Sequence, residues 1–362
     1  MPLGQPSQVQ IRVLTTPSNS GEPHEAASLN PQGVPHRRTG REWRAGRHRR
    51  GWPGHAADVV TIRYFANRGA VTGYELADTL GWLKDKGINL ESKGFSESGP
   101  ENVVALSANA IDVAGVATAP LINAIKAGAK IVGVIPDVGV SKTLTSKFYV
   151  LADSPIKTPQ DLKDKSIAVN TLGAHLDYTT REYLKDHDLP ADYVKLITVP
   201  GPQLDQILRH KQADIVAVGG WQAIFAGRIE AEGGVRVLFT DYDVLGDITL
   251  GNDAMKRAFI AAHPQAIKDF VTQSARAVDW SAAHPTEARK LFAEILQRRG
   301  DNPGLAQYWP GYGLREHALY TDHDAQFWID VLVRSGKLKP GQLTAEDVVT
   351  NRYNGLAGLA QQ

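Results

Sequence analysis

From residue 58 onward, short β-branched runs alternate with amphipathic stretches at helical spacing, and nothing else in the chain constrains its fold as strongly. Strand periodicity is two and helix periodicity 3.6, so regular alternation between them is the signature of βαβ units. A first series predicts strands at 58–65, 88–95, 111–116 and 130–135. Helices fall between them at 74–86, from 100 and from 119, the first with Tyr74, Ala77, Leu80 and Leu83 on one face. Ser98-Gly99-Pro100-Glu101 reads as a capping box with proline inside the first turn. After a crossover at 136–147, a second series predicts strands at 148–151, 166–169, 194–199, 214–218 and 235–239, with helices from 159, 174 and 203. Residues 253–292 then read as helical throughout, and 324–335 as another helix.

The two series rhyme. Residues 106–116 and 208–218 both read as a helix end, a turn carrying an aspartate (Asp112, Asp214) and a buried strand leading into small residues. Two such units joined by crossovers leave a cleft outside the carboxyl ends of their strands. The expected organisation is a first lobe of 58–140 and 240–362 and a second of 141–239, in line with a length of 362 residues.

Composition narrows the function. With 42% hydrophobic and 22% charged residues, the chain has an ordinary globular composition. A formal charge of +1 gives no general reason to bind nucleic acid or a membrane surface. The absence of cysteine excludes disulfides, thiolate metal sites and cysteine nucleophiles. No apolar run approaches the roughly 18 residues of a membrane span. Residues 1–57 stand apart, with eight Arg, no Lys and three Glu in a Gly/Pro-rich background without apolar periodicity. They are expected to be disordered, as a non-native or mis-started leader rather than a nucleic-acid-binding arm. His55-Ala56-Ala57-Asp58 is similar to the end of a signal peptide whose apolar segment is missing.

Three stretches carry a family likeness across 58–350. The first is Gly99-Pro100 with Ala105-Leu106 and Ile111-Asp112-Val113-Ala114, followed by Thr118-Ala119-Pro120. The second runs from Ser154-Pro155 through Thr158-Pro159-Gln160-Asp161-Leu162 to the strand at 166–169, and the third from Ala261-Ala262-His263-Pro264 to Trp280 and Pro285-Thr286-Glu287-Ala288. In order and spacing the chain resembles the solute-binding proteins of the nitrate, taurine and aliphatic-sulfonate ABC importers. The resemblance implies a two-lobed α/β fold of the periplasmic-binding-protein type, each lobe a mostly parallel sheet flanked by helices. It implies a monomeric periplasmic receptor that closes on a small anionic ligand and presents it to a membrane permease, with no cofactor, metal or nucleic acid. One departure stands out: relatives often carry Gly-Ser where the second lobe's strand meets its helix, and here Ala174 follows Gly173.

Small anions can be held by the unpaired N–H groups of helix starts, and the strand–helix junctions supply the candidates. On the first lobe these are Asn67, Arg68 and Gly69, then Ser98 and Gly99, then Ala117 and Thr118. On the second they are Asn170, Thr171, Gly173, Ala174 and His175, with Trp221 after Gly219-Gly220 placed to pack on a ligand. Each has a plainer reading: Ser98 and Thr118 as N-caps, the glycines as turn residues, Arg68 as a solvated charge, His175 as a capping residue, Trp221 as core. Lys142, Thr143 and Ser146, in the crossover, fit either the cleft or the hinge. The rival class is an enzyme on the same fold, of the thiamine-pyrimidine-synthase or menaquinone-pathway-lyase kind. The first carries a cysteine-rich motif that this chain lacks. No nucleophile elbow, phosphate loop or HExxH occurs either, so a non-catalytic receptor is expected.

Overall fold

The computed structural model describes residues 59–359, and among these the alternation is realised as ten strands. The leader expected at 1–57 lies outside the described residues. Strands β1 (Val60–Asn67) and β2 (Ile88–Ser96) form a parallel pair. Strands β3 (Val113–Ala117) and β4 (Ile131–Val140) flank a late strand, β10 (Ile248–Lys256), which runs antiparallel to both. The intervening strands β5 (Lys147–Leu151), β6 (Ser166–Val169), β7 (Lys195–Thr198), β8 (Ile215–Val218) and β9 (Val235–Thr240) make one sheet in the order β7-β6-β8-β5-β9.

The sheets are less parallel than expected. β6 is parallel to β7 and β8, but β5 is antiparallel to β8 and β9. The antiparallel strands β5 and β10 are the first after each passage between sheets, so they enter against the local strand direction. β10 also replaces the start of the helix predicted at 253. Its sequence ITLGNDAMK is poor in β-formers, and burial along nearly its whole length, rather than propensity, holds it as the central strand. The helix predicted at 74–86 is a shorter α1 (Gly73–Thr79), broken at Gly81 (φ +81°) before a 3₁₀ turn at Lys84–Lys86.

Helices α2 (Gly99–Ser107), α3 (Thr118–Lys126) and α4 (His175–Asp186) each follow a strand. The long helix Pro264–Ala283 packs on α1 around Tyr74 and Phe270, whose ring centroids are 5.4 Å apart. Phe148, Phe239 and Tyr183 stack in the core of the five-stranded sheet, and Trp328 is fully buried against Tyr178 and His175. Burying side chains of this size contributes about 1.5–3 kcal/mol each.

Candidate functional site

The passages at 141–146 and 241–247 set the carboxyl ends of β1, β2 and β3 opposite those of β6 and β8. A cavity of about 100 Å³ lies between them. Its walls include Phe65, Pro100, Pro120, Val138, Trp221 and Leu250, an apolar surface suited to an organic body.

Of the junction residues, Asn67, Ser98, Gly99 and Ala117 line the cavity from one side, and Asn170, Ala174, His175 and Trp221 from the other. Arg68, Gly69, Thr118, Thr171 and Gly173 do not line it. Arg68 pairs with Asp301 at 2.8 Å and lies 4.1 Å over the Phe95 ring, while its carbonyl accepts from Gln222 Nε2. Gly69 (φ +79°) lies against Phe225, where a Cβ would come within 2.6 Å of the ring. Thr118 is buried with its hydroxyl accepting from Asn252. Gly173 takes φ +71°, yet a Cβ there would meet nothing within 4 Å, so the turn rather than a close ligand approach calls for glycine.

Some of the expected helix-start donors are used by the chain itself. Gly173 N–H donates to Asp177 Oδ2 at 2.7 Å, just ahead of α4. At α2, Glu101 N–H donates to Ser98 Oγ, Glu97 N–H donates to the Glu101 carboxylate, and Pro100 has no N–H to offer. α3, at Ala117, and α4, at Ala174, both begin without a side-chain cap on the cavity wall.

His175 is almost completely buried. Its Nε2 lies 2.9 Å from Asp241 Oδ2, whose other oxygen accepts from Ser146 N–H at 2.7 Å. Ser146 Oγ in turn accepts from Gly220 N–H at 3.0 Å, which fixes the turn carrying Trp221. Donation from Nε2 to the buried carboxylate leaves Nδ1, which has no partner among the described residues, as the ring atom available to the cavity.

Several lining residues were not among the candidates. Asp137 and Val138 come from β4, Asn102 from α2, Gly115 from β3, Gly251 from β10 and Tyr74 from α1. A signal was present: Asp137 is a lone acid within the apolar run IVGVIPDVGV, and a charge inside a buried strand marks a site. Placing the strand's end at 135 hid it. Burial pushes the Asp137 carboxyl up to about 7, against the opposing effect of backbone N–H groups. Its neighbour Asp253, buried on β10, is held well above the usual carboxylate range by burial and then by Asp137 and Glu75. Glu75 already pairs with Arg299 at 2.8 Å. No lysine or arginine is among the lining residues; the charged or titratable ones are Glu97, Asp137, Tyr74 and His175. The cation that an anionic ligand would find in a built site is therefore not supplied by a basic side chain.

With that geometry in place, likenesses to other proteins can be weighed. The profile described as NMT1/THI5 like matches residues 69–288. No curated protein sequence matches the chain. The periplasmic aliphatic sulphonate binding protein SsuA of Escherichia coli is similar in structure, with TM-score 0.63 and 18% identity, over 80% of this chain and 92% of that one. The periplasmic nitrate-binding protein NrtA of Synechocystis PCC 6803 gives TM-score 0.64 and 16% identity, over 84% and 89%. The desulfurization enzyme DszB gives 0.57 and 16%, over 84% and 100%. At such identities these likenesses establish the fold: mixed α/β sheets flanked by helices, as in periplasmic binding proteins.

Proposed function

The chain belongs to the NMT1/THI5 like family, and from that premise we propose that it is the extracytoplasmic solute-binding component of an ABC importer. The lobes are 58–140 with 240–362 and 141–239, and a small solute with an apolar body binds between them. The observation that carries this reading is a cavity lined from the ends of separate sheets and spanned by hydrogen bonds. Gln222, after β8, donates to the Arg68 carbonyl after β1 at 3.1 Å, and Asn170, after β6, donates to the Glu97 carbonyl after β2 at 3.5 Å. Those bonds form when the cleft closes, so ligand affinity and closure are linked. A permease that recognises the closed form is the natural partner. Among the described residues no helix is long and apolar enough to cross a membrane.

An anionic head group, of the sulfonate, taurine or nitrate class, would find backbone donors at the starts of α3 and α4. Among the lining side-chain atoms without a partner in the described residues, Asn102 Oδ1, Asp137 Oδ1 and Asn170 Oδ1 are acceptors. A catalytic reading draws on the likeness to DszB and on the His175–Asp241 pair facing Asp137 across the cavity. Receptor and enzyme separate in one experiment: a bound solute is recovered unchanged by mass spectrometry from a receptor, and as product from an enzyme.

A further inference from the structure

Four polar side-chain atoms of the cavity lining are buried and have no partner among the described residues: Asn102 Oδ1, Asp137 Oδ1, Asn170 Oδ1 and His175 Nδ1. Their chemistry is uniform. Asn102 Nδ2 donates to the Gly115 carbonyl and Asn170 Nδ2 to the Glu97 carbonyl, which turns both amide oxygens toward acceptor duty. Asp137 accepts when ionised, and His175 with its Nε2 proton on Asp241 accepts at Nδ1. Buried acceptors of this kind are costly unless a donor reaches them. Donors must come from whatever fills the cavity.

The acceptors gather where glycines leave room. A Cβ on Gly115 would sit 3.4 Å from Asp137 Oδ2, 3.9 Å from Asp253 Oδ1 and 4.0 Å from Asn102 Nδ2, and one on Gly251 would overlap the Asp137 carboxylate. The nearby guanidiniums are occupied, Arg299 by Glu75 and Arg68 by Asp301. We propose that the solute carries a protonated nitrogen, an ammonium or amidinium on a small apolar body, seated on the Asp137 carboxylate and the Asn102 carbonyl with Asn170 and His175 closing over it. This rests on the receptor reading above and names its ligand class.

The groups that face Asp137 fit that assignment. Asp253 on β10 keeps its proton, Glu75 on α1 is neutralised by Arg299, the Tyr74 and Tyr312 hydroxyls are held protonated by burial, and His175 stands opposite on α4. Asp137 gains the charge that a cation would pair with as pH rises through about 7, so a cation binds more tightly above that pH than below it.

The test is calorimetry on the full chain with matched pairs: benzylamine against benzenesulfonate, butylamine against butanesulfonate, and nitrate alone, at pH 6 and pH 8. Amines are expected to bind, more tightly at pH 8, and sulfonates and nitrate not. In Asp137→Asn, with folding checked by its melting curve, amine affinity drops about 30-fold or more and its pH dependence disappears. The proposal is overturned if a sulfonate or nitrate binds more tightly than its amine counterpart, if no amine in the set binds, or if Asp137→Asn binds amines like the unsubstituted chain. Small-angle scattering on the same samples separates the two readings. Compaction with a sulfonate removes the cation assignment and keeps the receptor. An amine that binds and is converted to product removes the receptor and keeps the cation site.

Discussion

At the scale of single residues, the site is held by partners that removal would strand. Asp241 has no solvent exposure and relies on His175 Nε2 and Ser146 N–H. His175→Ala therefore leaves a buried carboxylate short of its strongest partner, and chemical denaturation should show a loss of about 2–4 kcal/mol. An unchanged midpoint would mean that the pair contributes nothing to folding. Asp137 predicts the opposite sign. Its folded carboxyl titrates near 7 against an ordinary 3.8, so the folded state binds the proton more tightly. That contribution to stability is fully present below about pH 4 and is lost as pH rises through 7. Asp137→Asn should thus melt about 2–5 °C higher than the unsubstituted chain at pH 8 and show no gain at pH 4; equal melting at pH 8 would contradict the burial argument. Asn170, His175 and Trp221 could be read from the sequence because each follows a strand into a small-residue turn. Asp137 and Asn102 could not, because one lies inside a strand and the other inside a helix, where junction reasoning does not look.

At the scale of elements, alternation located nearly every strand, since period-two runs of Val, Ile and Phe survive in any buried sheet. β10 escaped because it spends its length on function and packing: Gly251 makes room for Asp137, and Asn252 reaches the Val116 carbonyl and the Thr118 hydroxyl. Such a strand has no propensity signal to read. The start of α4 was visible as an element, but nothing in the linear pattern shows that Asp177 folds back onto Gly173 N–H and takes that donor out of the expected set. The structure gives that start two separate requirements. Gly173→Ala should cost about 1–2 kcal/mol through its positive φ, with ligand affinity nearly kept, because the added methyl meets open space. Asp177→Ala should cost about 1 kcal/mol by losing the bond from Gly173 N–H and the 2.6 Å pair with Arg181. If Gly173→Ala abolishes binding while the fold stands, the ligand reaches this turn after all.

At the scale of the whole molecule, the proposed receptor would open and close about two passages of chain, against a handful of bonds that hold the cleft shut. Besides Gln222 and Asn170, the α4 side is tied to the helix Asp322–Arg334 by Arg334 to Glu182 at 2.9 Å, and Lys337 and Asn123 both reach the Tyr178 hydroxyl. None of these residues except Asn170 lines the cavity, so they act on affinity through the population of the closed form alone. Gln222 is the cleanest lever. It is buried, does not line the cavity, and donates to a carbonyl that belongs to the opposite group of strands. Loss of one such bond is worth about 0.5–1.5 kcal/mol, so Gln222→Ala should weaken binding of any accepted solute by about 2- to 10-fold. The weakening should be uniform across solutes, because the residue never meets them, whereas Asp137→Asn should discriminate by charge. Scattering should show the free variant more expanded than the free unsubstituted chain, and both equally compact at saturation. A variant whose affinity falls for one solute and not another would place Gln222 in contact with ligand, and equal free-state curves would leave closure with no dependence on this bond.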